Sequence, residues 1–329
     1  MTQFSNIRTI LMGTPEFAER IFRKFLGAKL LNFDIVAVIT APDKPVGRKQ
    51  ELTPSPVKKW ALKNNLNILQ PEKIGNPEWN LRIKQLNPDL IITAAYGQMI
   101  PKEILDIVDP RLGRAKFGVL NIHPSLLPKY RGASPIHAAI LNGDKTSGVT
   151  IIKMDEKMDH GPIISNFQFP IFNKPTYEKL SEKLADAGAE LLVKTLPGYV
   201  NRKIKPEPQD HSKAIFCKII KKQDGKIDWN KSAEEIERQI RAFHEWPNAF
   251  ASLKLKDKSQ KLKVLGAEVL KENSNKKTSE VFLDNDKNLC VQTGSGVLIL
   301  KQVQLEGKKP MTAKDFLNGH PEIIGTILK

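Results

Sequence analysis

The sequence is poor in cysteine and contains no long uninterrupted apolar stretch. Its two cysteines, Cys217 and Cys290, have neither the spacing of a metal site nor the number needed for a disulfide framework. No run of about 18 apolar residues occurs, which excludes a transmembrane helix of ordinary length. No basic leader precedes an apolar stretch and a small-residue cleavage site at the N-terminus, so we expect a mature cytoplasmic protein.

Acidic residues are scarce relative to basic ones. The 329 residues include 52 Lys and Arg against 36 Asp and Glu, which gives a net charge of +16. Residues 1–201 and residues 202–329 each carry a surplus of 8 positive charges, so the excess is not confined to a tail. A field of this sign attracts polyanions. A lysine-rich surface also serves solubility, and charge alone leaves both interpretations open.

The first 170 residues alternate short apolar runs with helical patterns, and one further helical pattern closes the domain. The strand-like runs are Ile7–Met12, Asp34–Thr40, Asp89–Ala95, Phe117–Ile122 and Gly148–Met154. The helical patterns are Pro15–Phe25, Pro56–Lys63, Pro101–Val108, Pro135–Asn142 and Thr176–Leu196. This alternation predicts an α/β fold with a mostly parallel sheet and helices on both faces. The first strand-to-helix turn does not read GxGxxG, so a dinucleotide site is disfavoured.

The composition changes near residue 200. Asn201–Lys213 is polar, contains proline and has no apolar period, which is typical of a linker. We therefore expect a catalytic domain over 1–200, a linker over 201–221 and a second domain over 222–329. In the last of these, one capped helix at Ala233–Ala242 precedes short alternating segments that predict a small β-barrel.

Asn121 and His123 stand at the end of the fourth apolar run. Residues two apart on a strand point to the same face, so the amide and the imidazole are expected side by side. An amide can donate to an oxyanion and an imidazole can carry a proton, which are the groups that formyl or acyl transfer needs. A lone histidine is more often structural, but the strand-end position and the neighbouring Asn121 favour catalysis.

Two aspartates follow the fifth apolar run. Asp159 precedes a His-Gly-Pro turn, where its carboxylate could orient His123 and stabilise the imidazolium form. Asp155 could instead hold the loop through bonds from its side chain to the backbone. Spacing alone leaves open which of the two is catalytic.

The loop after His123 is a candidate binding site for a flat heterocycle. Its residues are Ser125, Leu126, Leu127 and Pro128. Backbone groups of this loop could bind the edge of such a ring, and the two leucines could pack on its face.

A second loop, Ala41–Ala61, is long, proline-rich and basic. Loops of this length inside a compact domain are usually functional or mobile. Lys44, Arg48 and Lys49 could bind phosphates there. The alternative is an ordinary solvated surface loop.

Longer motifs resemble the methionyl-tRNA formyltransferase family along essentially the whole chain. They are LMGTPEFA, APDKPVGRKQELTPSPVKKWA, AAYGQMIP, NIHPSLLPKYRGASPI, GVTIIKMDEKMDHGPI and IRAFHEWPNAF. The Asn-x-His and SLLP motifs resemble a wider family that uses 10-formyltetrahydrofolate. The basic loop and the last motif resemble its tRNA-acting branch.

This resemblance implies a doubly wound, Rossmann-like formyltransferase domain followed by an OB-like barrel that contacts tRNA. It implies catalytic roles for Asn121, His123 and Asp159, and a folate-binding role for the segment 125–128. The loop around Arg48 and Lys49 corresponds to the one that enters the tRNA acceptor arm. The implied reaction moves a formyl group from 10-formyltetrahydrofolate, a co-substrate, to the amino group of methionine on initiator tRNA. No metal is expected, and we expect a monomer.

Alternatives from other classes remain at this stage. A folate-dependent formyltransferase could act on a small amine, such as a sugar nucleotide or glycinamide ribonucleotide. A non-catalytic RNA-binding protein could use the same scaffold, and a hydrolase could release formate from the folate with water as the nucleophile. The basic excess and the extra domain disfavour the first alternative, and the three polar site residues disfavour the second.

Overall fold

The computed structural model describes residues 6–28, 30, 32–47, 50–112, 116–255 and 258–329. These residues belong to two compact units. The first unit comprises Met1–Pro135, Thr146–Pro170 and Ser181–Cys217, and the second comprises Ile136–Lys145, Ile171–Leu180 and Lys218–Lys329. Within the described ranges, no helix is long and apolar enough to cross a lipid bilayer.

Strands and helices alternate through residue 217. In chain order they are β1 (Ile7–Gly13), α1 (Glu16–Gly27), β2 (Phe33–Ile39), β3 (Lys44–Val46), β4 (Glu51–Thr53), α2 (Pro56–Lys63), β5 (Ile68–Leu69), α3 (Pro77–Gln85), β6 (Leu90–Ala94), α4 (Lys102–Ile107), β7 (Gly118–His123), β8 (Arg131–Gly132), α5 (Pro135–Leu141), β9 (Thr146–Lys153), β10 (Ile163–Pro170), α6 (Tyr177–Val200) and β11 (Phe216–Cys217). The five predicted strands and five predicted helices are all present, with boundaries shifted by a few residues.

One mixed sheet organises the first unit, with the strand order β10-β9-β7-β6-β1-β2-β5. The five neighbouring strands β5, β2, β1, β6 and β7 run parallel to one another. Strand β9 is antiparallel to β7, and β10 is antiparallel to β9. The prediction of a mostly parallel sheet is therefore confirmed. Helices connect parallel strands because the chain must return to the other end of the sheet before the next strand can run in the same direction.

Continuous apolar runs form the strands at the middle of this sheet because both faces of the sheet are covered. Ile10, Met12, Ile91 and Val119 belong to one buried cluster, together with Ile104 from α4. Val119 shares its strand face with Asn121 and His123, because side chains alternate along β7. The polar pair therefore continues a packed apolar face at the carboxyl end of a central strand.

Residues 201–217 lie along the first unit. The backbones of Glu207 and Ile163 exchange two hydrogen bonds of 2.7 Å each, and Ile215 donates from its backbone N–H to the Pro128 carbonyl at 3.2 Å. The short strand β11 pairs in parallel with β8. The polar residues of this segment are thus bonded to the unit, and the domain boundaries at 200 and 221 stay a prediction.

The second unit is built on an antiparallel sheet. After residue 217 its helices and strands are α7 (Ala233–Ala242), β12 (Ala249–Leu255), β13 (Lys258–Leu270), β14 (Val281–Leu283), β15 (Leu289–Gln292), β16 (Val297–Leu305), β17 (Met311–Thr312) and α8 (Ala313–Gly319), and most of α5 also belongs to this unit. The strand order is β12-β13-β16-β15-β14, and β17 pairs with β16. Ser232 and Glu235 cap α7 reciprocally, as the sequence predicts.

Candidate active site

The strand β7 positions the amide and the imidazole. Asn121 pairs with Thr93 of β6 and Ile152 of β9, and His123 pairs with Thr150 of β9. Because strands flank β7 on both sides, its backbone has no freedom to turn either side chain to the other face. Asn121 is half-buried, and His123 is only 4% exposed.

The ring of His123 has a defined hydrogen-bonding role for each nitrogen. Its Nε2 lies 2.9 Å from the carbonyl oxygen of Tyr130. A carbonyl can only accept, so Nε2 carries a hydrogen in every protonation state that keeps this bond. The other nitrogen, Nδ1, lies 3.6 Å from Oδ1 of Asp159. Protons therefore enter and leave the ring at Nδ1, beside the carboxylate.

Asp159 brings its carboxylate against three elements of the site. Its Oδ1 accepts a hydrogen bond of 3.3 Å from Nδ2 of Asn121 and faces the His123 ring. Its Oδ2 accepts a hydrogen bond of 2.8 Å from the backbone N–H of Gly132. The residue has a φ of 47°, a left-handed conformation that Asp tolerates better than most residues. The turn that the sequence predicts at Asp159 thus aims the carboxylate back at β7.

Asp155 has a different set of partners. Its Oδ1 accepts from the backbone N–H of Lys157 at 3.0 Å, which is the side-chain-to-backbone bond anticipated for this residue. Its Oδ2 lies 2.6 Å from Nδ1 of His160. Asp155 therefore stabilises its own loop and an imidazole on it, while Asp159 lies against His123 and Asn121.

The ring of His160 stacks on His211, with centroids 3.9 Å apart and planes within 9°. Arg131 donates from Nη2 to Nδ1 of His211 at 2.8 Å, so that nitrogen must be unprotonated. Desolvation lowers the pKa of His211, and repulsion from His160 and Arg131 lowers it further, in keeping with this arrangement.

The segment 125–128 forms a self-bonded loop. The Ser125 hydroxyl donates to the Lys129 carbonyl at 2.6 Å. Thr150 of β9 donates to the Ser125 carbonyl at 2.7 Å and accepts from the Leu127 N–H at 3.1 Å. The Leu127–Pro128 peptide bond is cis. The loop's shape is therefore fixed by β9, and its serine hydroxyl is committed to the loop itself.

The two leucines of this loop occupy different environments. Leu127 is buried, whereas Leu126 is half-buried and lies over Gly148 of β9. A Cβ on Gly148 would lie 2.3 Å from the Phe167 carbonyl oxygen and 2.5 Å from the Leu126 side chain, so the strand needs glycine there. Of the pair, Leu126 has the side-chain surface that a ligand could contact.

The basic loop contains a short hairpin of β3 and β4, in which Lys44 pairs with Thr53. Lys44 is exposed, and Arg48 and Lys49 lie outside the described residues. Lys58 of α2 bonds Asp43 at 2.7 Å, and this contact, together with Gln70, lowers the pKa of the Asp43 carboxyl. Asp43 and Lys58 therefore anchor the start of the hairpin to the helix that follows it.

Sequence reasoning missed several residues of the site. Tyr130 supplies the carbonyl that binds His123, and Gly132 supplies the N–H that binds Asp159. Gln209 and Arg131 are buried next to them, at 5% and 3% exposure. The Tyr-Arg-Gly run, which begins two residues after Pro128, was the available signal for three of these residues. Gln209 had none, because it lies in a segment read as a linker.

The geometry defines what this site can do. The Asn121 amide and the His123 Nδ1 position lie on one face at a strand end, with the Asp159 carboxylate between them and the backbone of Gly132. Such a set can donate to an oxyanion and move a proton. Among the described residues, no group of three or more His, Cys, Asp or Glu side chains is placed to hold a metal ion.

Comparisons with known proteins agree with this chemistry. Residues 5–196 match the formyl transferase family, and residues 219–321 match the formyl transferase C-terminal domain. A methionyl-tRNA formyltransferase from Caldicellulosiruptor saccharolyticus is 41% identical over 97% of this chain and 99% of its own. The chain belongs to the methionyl-tRNA formyltransferase family. A second member of the family, from Streptococcus thermophilus, is 42% identical over 95% of each chain.

Solved structures show the same fold outside the methionyl-tRNA formyltransferase family. WlaRD, a sugar 3N-formyl transferase solved in the presence of dTDP and 5-N-formyl-THF, superposes with a TM-score of 0.62. The match covers 92% of this chain and 99% of WlaRD at 22% identity. At that identity the likeness establishes a shared fold and nothing about the acceptor.

Proposed function

We propose that this protein transfers the formyl group of 10-formyltetrahydrofolate to the α-amino group of methionine on initiator tRNA. The observation that carries the proposal is the convergence of Asn121, His123 and Asp159 in one site of a chain from this family. The product, formylmethionyl-tRNA, serves translation initiation.

In the proposed reaction, the methionine amine attacks the formyl carbon and negative charge develops on the formyl oxygen. Asn121 holds one amide hydrogen against Asp159, and its second hydrogen is directed to that oxygen. His123, protonated at Nδ1, acts as the second donor while Asp159 orients it. Removing one such donor typically lowers the rate roughly 100- to 1,000-fold.

Proton transfer in this scheme uses the same nitrogen. The Tyr130 carbonyl holds Nε2–H of His123, so the ring exchanges its proton only at Nδ1. Asp159, next to that position, is proposed to help move the proton from the attacking amine toward the folate nitrogen that leaves. Because both substrates react directly, positioning contributes much of the acceleration.

We assign folate binding to Ser125, Leu126, Leu127 and Pro128. The support is the shape of this loop, which Thr150 of β9 holds through hydrogen bonds to Ser125 and Leu127. A preformed loop lowers the entropic cost of binding. The half-buried Leu126 offers an apolar surface that suits a flat pterin ring, so the residues present fit this co-substrate.

We assign tRNA contacts to Lys44, Arg48 and Lys49, and to an OB-like barrel in the second unit. The support for a barrel comes from the C-terminus. Lys329 exchanges backbone hydrogen bonds with Ser252 of the edge strand β12, and Ile327 bridges to Glu280 beside the other edge strand, β14. The net charge of +16 gives the long-range attraction that a nucleic acid partner needs.

We extend the proposal to domain limits at 1–200 and 222–329 with a linker over 201–221, to a monomer, and to a cytoplasmic location. The family match ends at 196 and resumes at 219, close to these limits. A cytoplasmic location follows from the proposed substrates, because charged initiator tRNA is made and used there.

The test is transfer of labelled formyl from 10-formyltetrahydrofolate to a panel of acceptors. The panel contains charged initiator tRNA, charged elongator methionyl-tRNA, an amino-sugar nucleotide and water alone. We expect label on the methionine of initiator tRNA and little on the others. Label on the sugar nucleotide alone, or formate release without an acceptor, would overturn the proposal.

A further inference from the structure

The side chain of Gln209 forms a bridge beneath Asp159. Its Nε2 donates to the Asp159 carbonyl at 2.9 Å and to the Gly161 carbonyl at 2.7 Å, which uses both amide hydrogens. Its Oε1 accepts from Arg131 Nε at 3.2 Å and from Nη2 at 2.6 Å. Every polar atom of this buried amide is therefore engaged.

The orientation of the Gln209 amide follows from its partners. Carbonyl groups can only accept and the guanidinium of Arg131 can only donate, so exchanging Oε1 and Nε2 would break all four contacts. Arg131 is itself 3% exposed and cannot swing into solvent. The bridge therefore has a single satisfied arrangement.

Arg131 and Gly132 together connect this bridge to the carboxylate. The Arg131 side chain holds Gln209, which holds the backbone of Asp159, while the Gly132 N–H holds Oδ2 of Asp159. Gln209 thus holds the backbone of Asp159, and the neighbouring residues Arg131 and Gly132 hold Gln209 and the Asp159 carboxylate, respectively.

The bridge holds a residue whose backbone is left-handed. Asp159 has a φ of 47°, a conformation that costs free energy for an L residue, although less for Asp than for most others. Gly161 sits where a Cβ would lie 1.9 Å from the Lys153 carbonyl, so the turn is held tightly against β9. Without the bonds to the carbonyls of 159 and 161, the turn loses two of the hydrogen bonds that hold its backbone and keeps the one from Lys153 to the Pro162 carbonyl.

We infer that Gln209 is a positioning residue for the formyl transfer proposed above, on which this inference rests. It acts through Asp159: it fixes the turn so that the carboxylate meets His123 and Asn121 in the reactive geometry. A displacement of a catalytic group by about 1 Å can lower a rate about 100-fold. The segment that carries Gln209 is therefore part of the catalytic unit.

The test compares Gln209→Leu and Gln209→Glu with a matched control. Gln239 is also a buried glutamine whose Nε2 donates to two backbone carbonyls, those of Asp224 and Lys226, in the other unit. Gln239→Leu therefore removes equivalent bonds away from Asp159. Gln209→Glu keeps an acceptor for Arg131, which helps the variant fold, but it cannot donate to the two carbonyls.

We expect kcat to fall at least about 30-fold in both Gln209 variants, with KM for each substrate within about threefold of wild type, because the loss is one of geometry. Gln239→Leu should keep kcat within about threefold, measured below its melting temperature. Near-wild-type kcat in Gln209→Glu, or an equal loss in Gln239→Leu, would overturn the inference.

Amide hydrogen exchange supplies a readout that does not need activity. The Gly132 N–H, which binds Asp159, should exchange at least about tenfold faster in Gln209→Leu than in wild type and be unchanged in Gln239→Leu. Unchanged protection of Gly132 would refute the positioning role. A wild-type protein that transfers no formyl would instead refute the proposed function, while the exchange result still decides whether Gln209 holds Asp159.

Discussion

Asp159→Asn is the substitution that probes the site most selectively, because it keeps the shape of the side chain. The carboxylate accepts from Asn121 at 3.3 Å and from the Gly132 N–H at 2.8 Å, and it faces His123 Nδ1 at 3.6 Å. The side chain of asparagine has one oxygen, which accepts, and one NH₂ group, which only donates. The NH₂ group must therefore take the place of a carboxylate oxygen that faced either Gly132 or the pair His123 and Asn121.

Either orientation of the new amide damages the site. With its oxygen toward Gly132, its NH₂ meets His123 Nδ1, which can then only accept and cannot be the proton donor. With its oxygen toward His123, the Gly132 N–H is left facing a donor, at a cost of about 1–3 kcal/mol. We therefore expect kcat to fall roughly 100- to 1,000-fold, equivalent to about 2.7–4 kcal/mol.

The assay is steady-state transfer of labelled formyl to charged initiator tRNA. KM for both substrates should stay within about threefold, since no bond to either substrate is assigned to Asp159 alone. Asp155→Asn is the matched control from the same loop, where the side chain bonds Lys157 and His160 and is 38% exposed. Near-normal turnover in Asp159→Asn together with a large loss in Asp155→Asn would refute the assignment.

Further predictions concern stability and tRNA binding. Gly132→Ala should lower the free energy of unfolding by about 2–4 kcal/mol in urea titrations, because a Cβ at φ 113° would lie 2.4 Å from the Cys217 carbonyl; an unchanged midpoint would contradict this. A hydrogen bond from Arg20 lowers the pKa of Asp186 to about 2 from 3.8, so the pair stabilises the fold above about pH 4 and loses this effect as pH falls toward 2. Asp186→Asn should thus cost about 1 kcal/mol or less at pH 7, since the pair is partly exposed, and clearly less than that at pH 2, where about half of the carboxyl groups are protonated in the folded protein; an equal cost at both pH values would contradict the linkage. Lys49→Ala should raise KM for tRNA and reduce the slope of log affinity against log salt by about 1, with kcat unchanged; a salt slope equal to wild type would remove Lys49 from the interface.

The sheet of the first unit was predictable because its strands are buried on both faces. The run Leu90–Ala94 of β6, for example, is buried along its whole length and leaves few alternatives. The edge strand β10 was not predicted, since Asn166, Phe167 and Gln168 are exposed and its apolar pattern is weak. The β3–β4 hairpin inside the basic loop was also missed, because strands of three residues are too short to show an alternating apolar pattern.

The pairing of Asn121 with His123 was predictable from the two-residue repeat of a strand. The approach of Asp159 was not derivable from spacing, because it depends on β9 running antiparallel to β7 and on a left-handed turn. Resemblance to the family supplied the choice of Asp159 over Asp155 where pattern alone left it open.

Gln209 shows why polar segments are difficult to interpret from sequence. A residue that bonds only backbone carbonyls and one guanidinium leaves no periodic pattern, so its segment has the composition of a linker. The backbone bonds between Glu207 and Ile163 that place it beside the turn are also independent of side-chain type.

The central claim is that Asn121, His123 and Asp159 act together on one reacting carbon. Single-turnover formyl transfer, with both substrates saturating, should be measured for wild type, for each alanine variant and for the triple variant. Groups that act as a unit lose activity non-additively, so the triple variant should be about as slow as the slowest single variant. Losses that multiply across the three positions, or a wild-type enzyme that transfers no formyl, would contradict the account.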